Sequence, residues 1–410
     1  MKKRSKIKNS GGNHSSNKSD LIGKIIDVTV EKIVPNGYGL AFAENLTVFV
    51  PLAVAGDSLR VRIYQTKNKT AFAEIAEILK PSNLRIDAPC EYFGRCGGCD
   101  FQQMNYEDQL AAKVAIIKDC LTRIGKINHE KEIEIVASPK PFGYRARTQW
   151  HVDSRRKKIG YFQRNSHKVI DVEQCPILTE DLQNTLSNLR EHLEWESFWS
   201  EKIVIEAAGA NGQISIYSDE IIEPTKEIFH ETNKEKYFYS AKSFFQGNPF
   251  LIEKLIELAT ENVSGKTALD LYCGVGLFTL PLARNFEKVI GIEANADAID
   301  FAEKSASNAR IENAEFHAES VDDFLKENEF TDIDFVLLDP PRSGADRQII
   351  QTIIKINPKE ISYVSCEPSV LARDLRMLID AGFIIESMTA LDLFPQTHHV
   401  ETVVRLTKSS

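Results

Sequence analysis

No run of residues in this 410-residue chain approaches the roughly 20 consecutive apolar positions that a membrane-crossing helix needs. The first 20 residues, MKKRSKIKNSGGNHSSNKSD, lack the apolar core of a secretion signal, so export is not expected and the cytoplasm is the expected location. There is no internal repeat and no sustained heptad, which sets aside solenoids and coiled coils. Cysteine is sparse, seven in all, at positions 90, 96, 99, 120, 175, 273 and 366. In a reducing compartment these read as ligands or nucleophiles rather than as disulfides.

Positive charge is also short overall. Lys and Arg number 50 against 59 Asp and Glu, for a net charge of −9. That balance argues against a polyanionic partner only if the charge is evenly spread, and it is not. Lys2, Lys3, Arg4, Lys6, Lys8 and Lys18 crowd the first 20 residues against Asp20 alone. A second basic stretch carries Arg145, Arg147, Arg155, Arg156, Lys157, Lys158, Arg164 and Lys168, with Asp153 between them. Local potential, not the total, steers a phosphate backbone. The plainer alternative is a solubilising tail and a solvated face.

What is present is the composition of a folded chain, with 42% hydrophobic and 27% charged residues. Its length implies two or three domains. Residues 1–20 have no hydrophobic period and are expected to be a disordered basic tail. Residues 21–80 carry short alternating β-rich runs broken at Pro35-Asn36-Gly37 and Gly56-Asp57, the pattern of a small OB-like barrel. Residues 81–235 mix a helical stretch near 105–124 with strand-like runs and the cysteines. From 236 to 410, TALDLYC, VIGIEAN, IDFVLLDPP, ISYVSCE and ETVVRL alternate with helical segments, as in a doubly wound, Rossmann-like α/β sheet.

The first strand of that last region runs into Asp270-Leu-Tyr-Cys-Gly-Val-Gly276. A Gly-x-Gly turn lets a ligand approach the backbone. Missing are the third glycine of a dinucleotide fingerprint and the Lys-Ser/Thr of a phosphate loop. Glu293 ends the next strand, VIGIE, where a carboxylate suits a ribose diol. An adenosyl cofactor without phosphates fits this combination, and S-adenosylmethionine fits best. IDFVLL ends in Asp339-Pro340-Pro341-Arg342, whose prolines hold Asp339 out of helix and toward the cleft beyond the strand ends.

ISYVS runs into Cys366 on the same sheet edge. Buried cysteines are usually inert packing residues, but this one stands at the rim of the cofactor cleft. Carbon 5 of uracil is too poor a nucleophile to take a methyl group unaided. A thiolate adding to carbon 6 turns the ring into an enolate with carbanion character at carbon 5. A base must then remove the carbon-5 proton. The segment FPQTHHVETVVRL offers Glu401, with His398 and His399 beside it.

Cys90, Cys96 and Cys99 cluster as C-x5-C-x2-C, and Cys175 precedes Pro176. Zinc ribbons pair two CxxC knuckles, whereas three near cysteines and a remote Cys-Pro suit a [4Fe–4S] cluster; zinc remains the alternative. Cys120 and Cys273 read as packing residues.

DLYCGVG, LDPPR, SCEPSVLARDL and HHVET, in that order, resemble the RNA uracil-5 methyltransferase family over essentially the whole chain. The resemblance implies a TRAM barrel at 21–80, a central iron–sulfur domain at 81–235 and an S-adenosylmethionine-dependent methyltransferase domain at 236–410. It also implies Cys366 as nucleophile and Glu401 as base. Gln246, in SFFQGNPF, and Tyr272, Glu293 and Asp339 fall on cofactor-contact positions. Leu277 and Ser320 depart from the pattern, each standing where relatives carry Asn. The barrel and cysteines together point to 23S ribosomal RNA enzymes, which carry both, although related archaeal-type enzymes with these accessories act on transfer RNA.

The expectation is methylation of a uridine flipped out of its stack, with barrel and basic stretch gripping the flanking RNA. Two rivals exist. An amino-group methyltransferase would place an aromatic where Arg342 stands, and a non-catalytic RNA-binding iron–sulfur scaffold would need neither Cys366 nor Glu401.

Overall fold

The computed structural model describes residues 21–220 and 224–408, so the basic segment 1–20 lies outside the described residues. The chain packs as two compact units. One holds the described residues through Ile33 together with Tyr38–Arg85; the other holds Val34–Gly37 and those from Ile86 onward.

In the first unit, β1 (Ile25–Val34), β2 (Tyr38–Ala43), β3 (Leu46–Pro51), β4 (Ser58–Lys67) and β5 (Thr70–Lys80) close a barrel in the order β1-β2-β3-β5-β4, with β4 pairing back to β1. Alternation decides the inside: Ile26, Val28 and Val30 of β1 are buried while Ile25, Asp27 and Thr29 face out. Val48, Val50, Leu59, Val61 and Ile63 complete the core. Asp57 is fully buried and accepts from the backbone N–H groups of Val54 (2.7 Å) and Ser82 (2.9 Å) and from Arg85 Nη2 (2.6 Å). A buried charge is tolerable here because every partner is supplied. The residues leaving the barrel are thereby tied to it.

The second unit opens with α1 (Tyr106–Cys120), β6 (Glu134–Val136), β7 (Arg147–Asp153), β8 (Lys158–Phe162), β9 (Val169–Asp171), α2 (Glu180–His192), β10 (Lys202–Ala210), β11 (Gln213–Tyr217), β12 (Ile228–Glu231) and β13 (Lys236–Tyr239). An antiparallel sheet runs β11-β10-β7-β8-β9. Its inner face, with Trp150, Val152, Ile203 and Ile205, packs on Leu182 and Leu186 of α2.

The rest comprises α3 (Ile252–Thr260), β14 (Gly265–Leu271), α4 (Thr279–Ala283), β15 (Phe286–Glu293), α5 (Ala296–Asn308), β16 (Ala314–Ala318), α6 (Val321–Glu327), β17 (Phe335–Leu338), α7 (Arg347–Ile356), β18 (Glu360–Ser365), α8 (Pro368–Asp380), β19 (Phe383–Leu391) and β20 (Glu401–Lys408). These build an eight-stranded sheet, β16-β15-β14-β17-β18-β20-β19-β6. Strands β14 to β18 are mutually parallel; β20 is antiparallel to both neighbours. The chain winds outward from β14 through β15 to β16, then returns to β17 on the other side. Ligands of open α/β sheets bind at such a reversal, beyond the carboxyl ends of the strands.

Two strands were not anticipated from sequence. AEFHA (β16) is short and edge-lying, and FIIESMTAL (β19) is interrupted by Glu386, Ser387 and Thr389, so neither shows a clean buried run. Counted from β14, ISYVS is therefore the fifth strand in chain order, not the fourth. The expected boundary at 235/236 falls inside the β12–β13 hairpin, and β6 of the expected central segment pairs with β19 of the methyltransferase sheet.

Candidate active site

The carboxyl ends of β14, β15, β17 and β18 and the start of β20 converge on a cleft of ≈ 970 Å³. Its walls include Gln246, Tyr272, Glu293, Asp339, Cys366 and Glu401, all six residues singled out from the sequence for catalysis and cofactor contact. His399, Arg342 and Phe244 also line it.

Local backbone explains the arrangement. Tyr272 (φ 67°), Gly274 (φ 55°) and Gly276 (φ 86°) turn the chain sharply after β14. At Gly276 a side chain would be strained by φ and would meet Leu280 Cδ1 at 2.8 Å, so glycine is required there. Glu293 braces the turn: its Oε2 accepts from Gly274 N–H (3.3 Å) and its Oε1 from Asn295 N–H (2.9 Å). Thr279 donates to Asp270 Oδ2 at 2.5 Å beneath the turn. Leu277 is buried and its carbonyl accepts from Tyr237 OH (3.1 Å); Ser320 caps α6 by accepting from Asp323 N–H (3.1 Å). At these two departures from the family pattern the side chains serve the fold.

The cleft is acidic and poorly solvated. Burial, then the charge of Asp270, raises the Asp339 carboxyl to about 7. Burial raises Asp270 to about 7 as well, against the pull of Thr279. Glu401 is buried, and burial followed by the charge of Asp339 holds its carboxyl well above the usual range; Arg342 opposes this. Its Oε1 has no hydrogen-bond partner. Burial, then Glu401 and Asp339, push the Cys366 thiol up to about 12. Burial is the first cause of each of these shifts, and a bound cation such as the sulfonium of S-adenosylmethionine would offset it; Tyr272, Glu293, Asp339 and Gln246 line the cleft where they could contact that cofactor.

Of the two histidines beside Glu401, burial, then His398 and Arg342, lower His399 to about 3, so it is neutral. His398 turns away: its Nδ1 meets Asp100 Oδ2 at 2.6 Å.

Cys90, Cys96, Cys99 and Cys175 line one small pocket with Arg145 and Tyr161, so the remote Cys-Pro does join the cluster. Burial raises the thiols of Cys96, Cys99 and Cys175, Cys99 to about 12. Gly98 N–H points at Cys96 Sγ (3.4 Å). Four soft donors around a dry pocket with a backbone N–H aimed at one sulfur fit a thiolate-ligated group. Among the described residues, no three His, Cys, Asp or Glu side chains are gathered as a ready-made metal site. Cys120 and Cys273 are buried, in keeping with packing.

The basic stretch is less available than its charge implies. Arg147 donates to the carbonyls of Ala241 and Ser243 (both 2.7 Å) and to Glu206 (3.2 Å). Arg164 donates to Asp100 (2.9 Å) and to the Cys99 carbonyl (2.5 Å). Arg155, Arg156 and Lys157 are exposed and pair with Glu201, Asp153 and Glu196. The expectation of a free basic grip is corrected to this extent: Arg147 and Arg164 are internal braces, and Arg145 donates to the Arg147 carbonyl (3.0 Å). Sequence reasoning also passed over Phe244, an aromatic 63% exposed at the cleft. Its position two residues before Gln246 was the available signal.

Among the described residues, no helix is long and apolar enough to cross a membrane.

Strand order, glycine turn and cleft together define a Rossmann-like methyltransferase. Comparison with known proteins names the family. The tRNA (uracil-5-)-methyltransferase family model matches residues 177–409, and the TRAM domain model matches 20–76. An uncharacterized RNA methyltransferase of Aquifex aeolicus is 31% identical, over 93% of this chain and 98% of its own. One from Thermotoga maritima is likewise 31% identical, over 93% and 98%. Among solved structures, the Pyrococcus abyssi tRNA (uracil-54, C5)-methyltransferase in complex with S-adenosyl-L-homocysteine shares 26% identity, with a TM-score of 0.73 over 93% of this chain and all of that one. The chain belongs to the S-adenosylmethionine-dependent RNA uracil-C5 methyltransferase family.

Proposed function

We propose that this enzyme methylates carbon 5 of a specific uridine in 23S ribosomal RNA through a covalent adduct with Cys366. The observation that carries the mechanism is the meeting of Cys366 and an unpartnered, buried Glu401 in one cleft with the cofactor-contact residues.

The Cys366 thiolate adds to carbon 6 and drives the ring electrons to carbon 5. Bound in the cleft, S-adenosylmethionine would supply the electrophilic methyl group that carbon 5 takes, with S-adenosyl-L-homocysteine as the leaving group. Glu401 then takes the carbon-5 proton, the carbon 5–carbon 6 double bond re-forms, and the Cys366 thiolate is expelled. Burial makes the Glu401 carboxylate, once ionised, a stronger base than a surface glutamate, and Arg342 favours that ionised form. Access requires that the uridine leave its stack, and exposed Phe244 offers a ring for a neighbouring base. A methylated amino group would leave the Cys366–Glu401 pair without a task.

RNA bearing 5-fluorouridine at the target tests the mechanism, because fluorine cannot be removed as a proton. The wild type is expected to form a denaturant-stable complex with it, and Cys366→Ala none. Adduct formation by the variant would refute the assignment. For the substrate, the TRAM barrel with a cysteine cluster favours ribosomal RNA, whereas the likeness to the Pyrococcus tRNA (uracil-54, C5)-methyltransferase favours transfer RNA as the second reading. Mapping 5-methyluridine in both RNAs of a deletion strain decides between them.

The four-cysteine pocket is proposed to hold a [4Fe–4S] cluster. The spacing supports this over zinc, because C-x5-C-x2-C with a remote Cys-Pro is unlike the paired CxxC knuckles of zinc ribbons. Anaerobically purified protein should be brown and carry iron; a colourless protein carrying zinc would overturn this.

A further inference from the structure

Glu401 begins β20, and the nine residues before it, 392–400, link β19 to β20 as a strap along the cleft. Five of the strap's nine residues, Asp392, Phe394, Pro395, Gln396 and His398, are held from outside the methyltransferase sheet. Asp392 is fully buried and accepts from Lys113 Nζ of α1 (2.5 Å), which also donates to the Phe394 carbonyl (3.0 Å). Tyr144 OH donates to the Pro395 carbonyl (2.9 Å). Gln396 sits in a left-handed backbone conformation (φ 68°), unusual for a non-glycine residue and sustained only where neighbours impose it. They do. Its N–H donates to Gln109 Oε1 (3.1 Å), its Oε1 accepts from Gln109 Nε2 (3.0 Å), and its carbonyl accepts from the N–H groups of Asp100 (2.9 Å) and Phe101 (3.1 Å). Asp100 then takes His398 on one carboxylate oxygen and Arg164 on the other.

Glu401 itself is the contrast, since its buried Oε1 has no partner. A carboxylate left free to meet a proton has to be aimed by its backbone, which pairs with Leu391 of β19 on one side of the strap and continues from the strap itself. Resting on the proposed adduct mechanism, we infer that Asp100 and Gln109 are positioning residues for Glu401, acting through His398 and Gln396. They serve the proton-removal step in particular. Asp100 follows Cys99, and Arg164 bridges Asp100 Oδ1 and the Cys99 carbonyl. Whatever steadies the cysteine pocket therefore steadies the base. This assigns the cysteine-bearing segment a mechanical task without any redox step.

The timing of the base makes the idea testable. Adduct formation precedes proton removal, so a mis-aimed Glu401 stalls the enzyme after methyl transfer. Gln109→Ala and Asp100→Ala are made separately in the full-length, cluster-loaded protein, with folding followed by circular dichroism and thermal melting. Each is expected to lower kcat by about 10- to 100-fold, the cost of roughly an ångström of misplacement, with KM for RNA nearly unchanged. Each should form the 5-fluorouridine adduct at close to the wild-type rate. With ordinary RNA and S-adenosylmethionine, each should accumulate a methylated covalent complex that the wild type does not. Asp100→Asn, which keeps an acceptor for His398, should recover much of kcat. Wild-type turnover in both alanine variants, or parallel loss of turnover and of adduct formation in a folded variant, would overturn the inference. If Asp100→Ala does not fold, Gln109→Ala on α1, away from the cysteines, decides the matter. Absence of a 5-fluorouridine adduct in the wild type would instead sink the underlying mechanism.

Discussion

Cys366 and Asp339 show how one cleft sets chemistry against stability. Burial and neighbouring acids hold the thiol near 12, so little thiolate exists without a compensating cation. Asp339 has an ordinary carboxyl pKa of about 3.9 when unfolded and about 7 in the folded cleft. The folded form thus binds this proton more tightly. Its stabilising contribution is complete below about pH 4 and is lost as pH rises through 7. In the cofactor-free protein, Asp339→Asn should therefore raise the melting temperature relative to wild type increasingly from pH 4 to pH 8. A pH-independent difference, measured by thermal melts across that range, would contradict the burial argument. The same variant should bind S-adenosylmethionine more weakly, since it loses a carboxyl group from the acidic cleft that would receive the sulfonium.

At the scale of elements, the β19–β20 strap depends on a fully buried ion pair between Lys113 and Asp392. Removing one partner of such a pair strands the other charge and costs about 3–5 kcal/mol, whereas replacing both by apolar residues is often close to neutral. Lys113→Met should destabilise the protein by about that amount, and Lys113→Met with Asp392→Leu should recover most of it. Denaturant unfolding of the three proteins checks this; equal losses in single and double variants would show that the pair is not the anchor. Strands with continuous apolar runs, such as FVLL of β17, and the positions of Asp339 and Cys366 at strand ends were legible from pattern alone. Strands β16 and β19 were not, because an edge position and interrupting polar residues dilute the period on which such reading relies. The strap was illegible for a different reason. Gln109 and Gln396 lie 287 residues apart and carry no motif, so only the folded chain makes them partners.

For the molecule as a whole, the division into two compact units means that the barrel carries its own core and its own tether, Asp57 with Arg85. A fragment spanning residues 21–85 should fold by itself, with a cooperative thermal transition and dispersed amide resonances. A disordered fragment would show that the barrel draws its stability from the rest of the chain. The expected grip on RNA is also redistributed at this scale. Arg147 and Arg164 hold the protein together, so phosphate contacts must come from other cations.

The amino-acid sequence alone determined which residue types meet at the cleft and the cysteine pocket: a cysteine at a strand end, a glutamate opening the last strand, a phosphate-free cofactor turn and four candidate thiol ligands. Each is a local choice of residue type at a strand terminus or turn, and such choices survive in one dimension. Tertiary structure alone decided the electrostatics and the aim. The raised carboxyls, the neutral His399, the inward commitment of Arg147 and Arg164 and the strap behind Glu401 all arise from burial and from partners distant in the chain. Desolvation and long-range hydrogen bonding exist only once the chain has closed on itself.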